Sequence, residues 1–216
     1  MSSVSLKSSF QGHVPTGDGS VSGVLEAPSG NLRFADWLFR AKAASLIWLV
    51  ARLWLGYEWL NAGYQKLWGS ENAAFWNHGG IAVKGYAAAS VAASSTGKGG
   101  ASYGWWAAFL HNFVIPNADW IAKFISIAEF LIGILLILGL FTGLAAIGGV
   151  ALNLIYMLSG TAGVNPVYAF VGVFLILAWR NAGYLGLDHF VLPWVRHLFH
   201  RNQPAEKVPV EQPAPA

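Results

Sequence analysis

The chain has no cysteine. That excludes every disulfide, thiolate nucleophile and cysteine-held metal centre, and with them any thiol-oxidising quinone enzyme. Charge is scarce too: Asp, Glu, Lys and Arg make up 11% of the 216 residues, against about 25% in a soluble domain. So few charged side chains cannot cover a water-facing globule. The net charge of +3 is small and no basic stripe alternates with aromatics, which argues against a nucleic-acid partner. No histidine lies in the middle of an expected span, which argues strongly against a membrane haem held by axial His. His78 and His111 share one loop without a ligand spacing, so no metal site is expected. The sequence holds no glycine-rich phosphate loop, nucleophile elbow or HExxH motif. Residues 1–30 hold no apolar run long enough for a signal-peptide core.

What is present points to a membrane. Hydrophobic residues make up 55% of the chain, with 11 Trp, which favours membrane–water interfaces, and 25 Gly, which lets membrane helices approach closely. The apolar segments predict an all-α domain over 31–200: a bundle of four transmembrane helices at about 43–67, 119–140, 144–158 and 166–187. Residues 1–30 and 201–216 read as disordered tails. Residues 69–118 read as a long, low-complexity outer loop, whose part Gly104–Ile115 is apolar but too short to span and is expected as a re-entrant or interfacial helix ended before Pro116. A final interfacial helix is expected over His189–His200, with Asp188 as its cap.

Polar residues inside these spans need a partner or a purpose, because a charge at the bilayer centre costs at least about 2.5 kcal/mol. Arg52 and Glu129 fall at similar depth, roughly 14 Å from the inner face, with Asn153 at a similar height. The expectation is a forked Arg52–Glu129 pair with Asn153 close by, either fixing helix register or lining a functional cavity. Glu58, Asn61 and Gln65 share one face of the first span and lead toward Lys66. Lys123 could reach Glu58, or Asp119 one turn behind it. Arg52, Glu129 and Glu58 are thus the candidate catalytic residues. Lys66, Lys123, Asn61 and Asn153 are the candidate substrate-binding ones.

Three stretches carry a resemblance. Arg52-Leu-Trp-Leu-Gly56, continuing to Gly63-Tyr-Gln-Lys66-Leu67, resembles the opening motif of the DoxX family. Glu129 to Gly133, with Gly139 and Thr142 beyond, is similar to that family's second signature, and Gly183 to Asp188 to its Gly-x-x-x-Leu-Asp ending. The resemblance gives Gly56, Gly63, Gly133, Gly139 and Asp188 structural roles. The long outer loop with Trp105, Phe109 and Pro116 looks like the DoxD branch, the small subunit of thiosulfate:quinone oxidoreductase. It implies a membrane subunit of a quinone-linked oxidoreductase. Such a subunit has no intrinsic cofactor, quinone as substrate, membrane lipids around it and a partner subunit. In that case Lys66 and Lys123 would attract an anion such as thiosulfate. The alternatives from other classes are a small-solute transporter using the same polar seam, and a scaffold that anchors a redox partner.

Basic residues set the expected orientation. Arg33, Arg40 and Lys42 precede the first span, and Arg180, Arg196, Arg201 and Lys207 follow the fourth. This bias predicts a multi-pass protein of the plasma membrane with both termini cytoplasmic. A reporter fused after Lys207 should read cytoplasmic, and one inserted at Gly97 external. The reverse pattern would overturn the charge argument.

Overall fold

The computed structural model of the chain describes residues 29–97 and 99–200. Almost all of the first expected tail, and all of the second, lie outside these residues. Every regular element within them is helical, as the sequence implies. Helix α1 (Ser29–Arg40) lies ahead of α2 (Ser45–Leu67). Helices α5 (Ala118–Leu138), α6 (Thr142–Leu158) and α7 (Asn165–Leu177) complete the bundle with α2. Among the described residues, α5 alone is both long and apolar enough to cross a membrane, with a mean hydropathy of 2.4. Helices α6 and α7 are apolar but shorter. Helix α2 has 23 residues but carries Arg52, Glu58 and Lys66.

Helices α2 and α5 are held in register by glycine. A β-carbon on Gly63 would sit 2.3 Å from the backbone nitrogen of Phe130, and one on Gly133 the same distance from that of Leu60. Gly56 lies against Leu136 and Ile137 in the same way. Continuing this antiparallel register places Lys66 near residue 127 and Arg52 near residue 141. The first two turns of α5 therefore extend beyond the end of α2.

That overhang supports a layer of helices over 69–118, where the sequence suggested a loop with one helix, over Gly104–Ile115; that helix is present, and the rest of the layer was not expected. The layer consists of a π-helical turn (Ala73–Asn77), α3 (Ile81–Ser95), α4 (Gly104–Phe109) and a second π-helical turn (Leu110–Val114). Helix α3 buries Val83, Ala87 and Ser90, which share one face, and Ser90 Oγ donates to the Ser159 carbonyl at 2.8 Å. Alanine on both faces of α3 hides this periodicity in the sequence. Val83 packs with Ala118 and Ala122 at the start of α5.

The fourth span is shorter than expected. Helix α7 ends at Leu177 instead of continuing to 187, and a separate turn, α8 (Trp179–Ala182), follows. The segment after it is folded back over the α5–α6 link. Leu187 N donates to the Leu138 carbonyl at 3.1 Å and Asp188 N to that of Gly139 at 2.8 Å. Asp188 is the first residue of α9 (Asp188–His200), but its carboxylate does not cap that helix as expected. It accepts from Phe141 N at 2.6 Å and Thr142 N at 2.9 Å, and so caps the start of α6. The cap holds Phe141 in a left-handed conformation, φ 49°. Gly139, φ 64°, closes α5 just before it, where a side chain would also collide with the Arg52 guanidinium.

The register makes a contrast between two glycines testable. Gly63→Ala should lower the thermal stability of the detergent-solubilised protein by about 1–3 kcal/mol or more, because it forces two backbones apart. Gly85→Ala, inside α3 with nothing within 4 Å of the added carbon, should be neutral or stabilising. Equal effects would contradict the α2–α5 contact.

Candidate functional site

The Glu129 carboxylate is buried in the bundle, its side chain 2% exposed. Lys66 Nζ lies 2.7 Å from Oε2, and the Tyr156 hydroxyl donates to Oε1 at 2.6 Å. Three helices meet here: α2 brings the ammonium, α5 the carboxylate and α6 the phenol. Both oxygens of Glu129 are satisfied, one by a charge-assisted bond. Lys66, 13% exposed, also sits 5.2 Å from the ring centre of Phe75 and 3.9 Å from Glu71. The ammonium therefore lies between the buried carboxylate and the more exposed Glu71.

The expected Arg52–Glu129 pair does not form. The depth argument set the outer ends of the first two spans level, whereas the glycine register displaces α5 outward by about two turns. Arg52 instead points to the opposite end of the bundle. There Nη1 donates to the Ala182 carbonyl at 3.0 Å and Nη2 to that of Leu185 at 3.2 Å. Asn153 does not join the pair either. It is 1% exposed, and neither its amide nitrogen nor its oxygen has a hydrogen-bond partner. The Trp59 indole nitrogen, also unpartnered, lies beside Gly149, one turn before Asn153 on α6.

The polar face of α2 is divided among separate partners. Glu58 accepts from the Tyr168 hydroxyl of α7 at 2.9 Å. Asn61 is exposed, and Gln65 accepts from Ser70 N at 3.2 Å. Lys123 pairs with Asp119 at 2.9 Å, the second of its two expected partners, and not with Glu58.

Lys66, Glu129 and Tyr156 lie at one end of a cavity of about 580 Å³ between the outer helical layer and the α5–α6 pair. This volume suits a small organic ligand. Its remaining walls are apolar and rich in aromatic rings, among them Phe75, Trp106, Phe109, Phe113 and Phe124. Tyr86 lines it from α3, donates to the Tyr156 carbonyl at 3.2 Å and is hydrogen-bonded to Thr161 Oγ1. Sequence reasoning missed Tyr156, Tyr86 and Phe75. Tyr156 carries the one available signal, a hydroxyl in an otherwise apolar span. An ammonium and a phenol fixed on a carboxylate, at the end of an apolar chamber, can hydrogen-bond a carbonyl or hydroxyl on an otherwise apolar guest.

These features define a helical membrane protein with an internal amphiphile-sized chamber. The DoxX family model matches residues 47–162, more than half of the chain, and the protein belongs to the DoxX family. The match spans Lys66, Glu129 and Tyr156. No curated protein and no solved structure matches the chain.

The buried pair has a measurable signature. Lys66→Met leaves Glu129 in an apolar wall without its counter-charge and should cost about 3–5 kcal/mol in denaturant unfolding. Adding Glu129→Leu should recover most of that loss, since neither charge is then left alone. A double variant as unstable as the single one would argue against the pair.

Proposed function

We propose that the protein is the membrane subunit of a quinone-linked oxidoreductase and that the chamber holds the quinone headgroup. One observation carries this: an apolar, aromatic cavity that ends in Lys66, Glu129 and Tyr156. The ring would stack among the aromatic walls. Lys66 would donate a hydrogen bond to one carbonyl oxygen, Tyr156 would lie against the same end with its oxygen free to accept, and Glu129 would hold both groups in place. Electrons would come from a partner subunit. In this reading α2, α5, α6 and α7 all cross the plasma membrane, with both tails cytoplasmic and the α3–α4 layer outside.

Thiosulfate as the electron source is the more specific version, with weaker support. The two lysines expected to attract it are both paired, Lys66 with Glu129 and Lys123 with Asp119. Transport through the polar seam is disfavoured, because Arg52 and the folded-back 183–188 segment close the inner end.

Purification in mild detergent followed by mass spectrometry should find co-extracted quinone. Tyr156→Phe removes the oxygen that can accept from a reduced quinone's hydroxyl and should weaken binding of a decyl-tailed benzoquinol roughly two- to twelvefold, the worth of one hydrogen bond. Wild-type affinity in that variant, or no quinone bound to the wild type, would reject the reading.

A further inference from the structure

The chamber has two unlike ends. Its only charged lining residues, Lys66 and Glu129, lie together at the closed end. The lining residues that are also surface residues are, Tyr86 apart, apolar. Phe124 on α5 is 60% exposed and Ile155 on α6 is 39% exposed, with Trp120, Phe109 and Phe113 exposed beside them.

Both helices place these residues on lipid-facing stripes. The exposed side chains of α5 run Trp120, Phe124, Ile127, Leu131 and Leu138, spaced as one helical face. Those of α6 run Leu144, Ile147, Leu154 and Ile155. On a membrane-crossing helix a continuous apolar face of this kind meets acyl chains. The opening lies where the two stripes meet. Aromatic rings border it in sequence, Phe109 to Phe113 at 5.1 Å and Phe113 to Trp120 at 6.1 Å. An aromatic border of this kind favours the headgroup boundary of a bilayer. The nearest ion pair, Asp119–Lys123, lies within the first two turns of α5 and marks where water begins.

We propose that the chamber opens sideways into the bilayer, between the outer parts of α5 and α6, so that its occupant enters from the lipid phase. The polar end of the occupant reaches Lys66, Glu129 and Tyr156, and its apolar part remains among the rings or trails into lipid. An occupant taken from water would cross an apolar, uncharged rim. One already dissolved in the membrane crosses no such barrier. This inference rests on the membrane-embedded reading above and specifies how its ligand arrives.

The lack of native cysteine permits a direct test. Single variants Phe124→Cys and Ile155→Cys are labelled with a nitroxide and reconstituted in phosphatidylcholine vesicles. Leu131→Cys serves as the lipid reference and His78→Cys, on the exposed outer layer, as the water reference. Sites 124 and 155 should match 131, with more collisions with oxygen than with a water-soluble nickel chelate. A pattern matching 78 at both sites would overturn the proposal. In a second arm, Ile155→Trp narrows the opening without touching the polar end. It should slow both entry and exit of a decyl-tailed benzoquinone. Unaltered rates would overturn the route. If the wild type binds no quinone, the proposed function fails, and the nitroxide arm still decides where the chamber opens.

Discussion

The close approach of α2 and α5 is the constraint on which the rest depends. In a bilayer, helix association relies on packing, because lipid tails are as apolar as the side chains. Gly63 against Phe130 and Gly133 against Leu60 let the two backbones touch. The register that results has three effects. It brings Lys66 to Glu129, sends Arg52 to the far end, and leaves two turns of α5 free to carry the outer helical layer. The chamber lies beneath that layer, which rests on the overhang and, through its first π-helical turn, on the end of α2.

Charge is used differently at the two ends of the bundle. At one end a cation and an anion face each other and open onto the chamber. At the other end Arg52 and Asp188 each bind backbone, Arg52 through two carbonyls and Asp188 through two amides. Together they tie the segment after α8 to the α5–α6 link. That end of the molecule is tied together by main-chain hydrogen bonds to these two side chains.

The extents of α2, α5 and α6 were legible in the sequence to within a few residues, because long apolar runs flanked by Gly and polar residues leave little choice. Gly56, Gly63, Gly133 and Gly139 stood out only through the family resemblance, which does not say which backbone each one meets. Membership in the DoxX family followed from the same motifs. Partnerships were less legible. Arg52 and Glu129 were assigned to one another on depth alone, and depth cannot be read until the offset between helices is known. That offset is set by which glycine meets which backbone, a tertiary fact. Helix α3 escaped notice because an alanine-rich helix has no polar face. Asp188 was recognised as a cap, but for the wrong helix, because its true target lies over forty residues away in sequence.

The bundle is also of uneven height. Helix α5 has 21 residues, α6 has 17 and α7 has 13. At about 1.5 Å per residue these are roughly 31, 25 and 20 Å, beside a hydrocarbon layer of about 30 Å. If α6 and α7 cross the membrane as proposed, a bilayer that fits α5 is mismatched on their side and must thin there, or the helices must tilt. The link between α6 and α7 carries Thr161, which is hydrogen-bonded to Tyr86 over the chamber. A thicker membrane therefore strains the side of the protein that holds the chamber wall, and membrane thickness becomes a mechanical input to it.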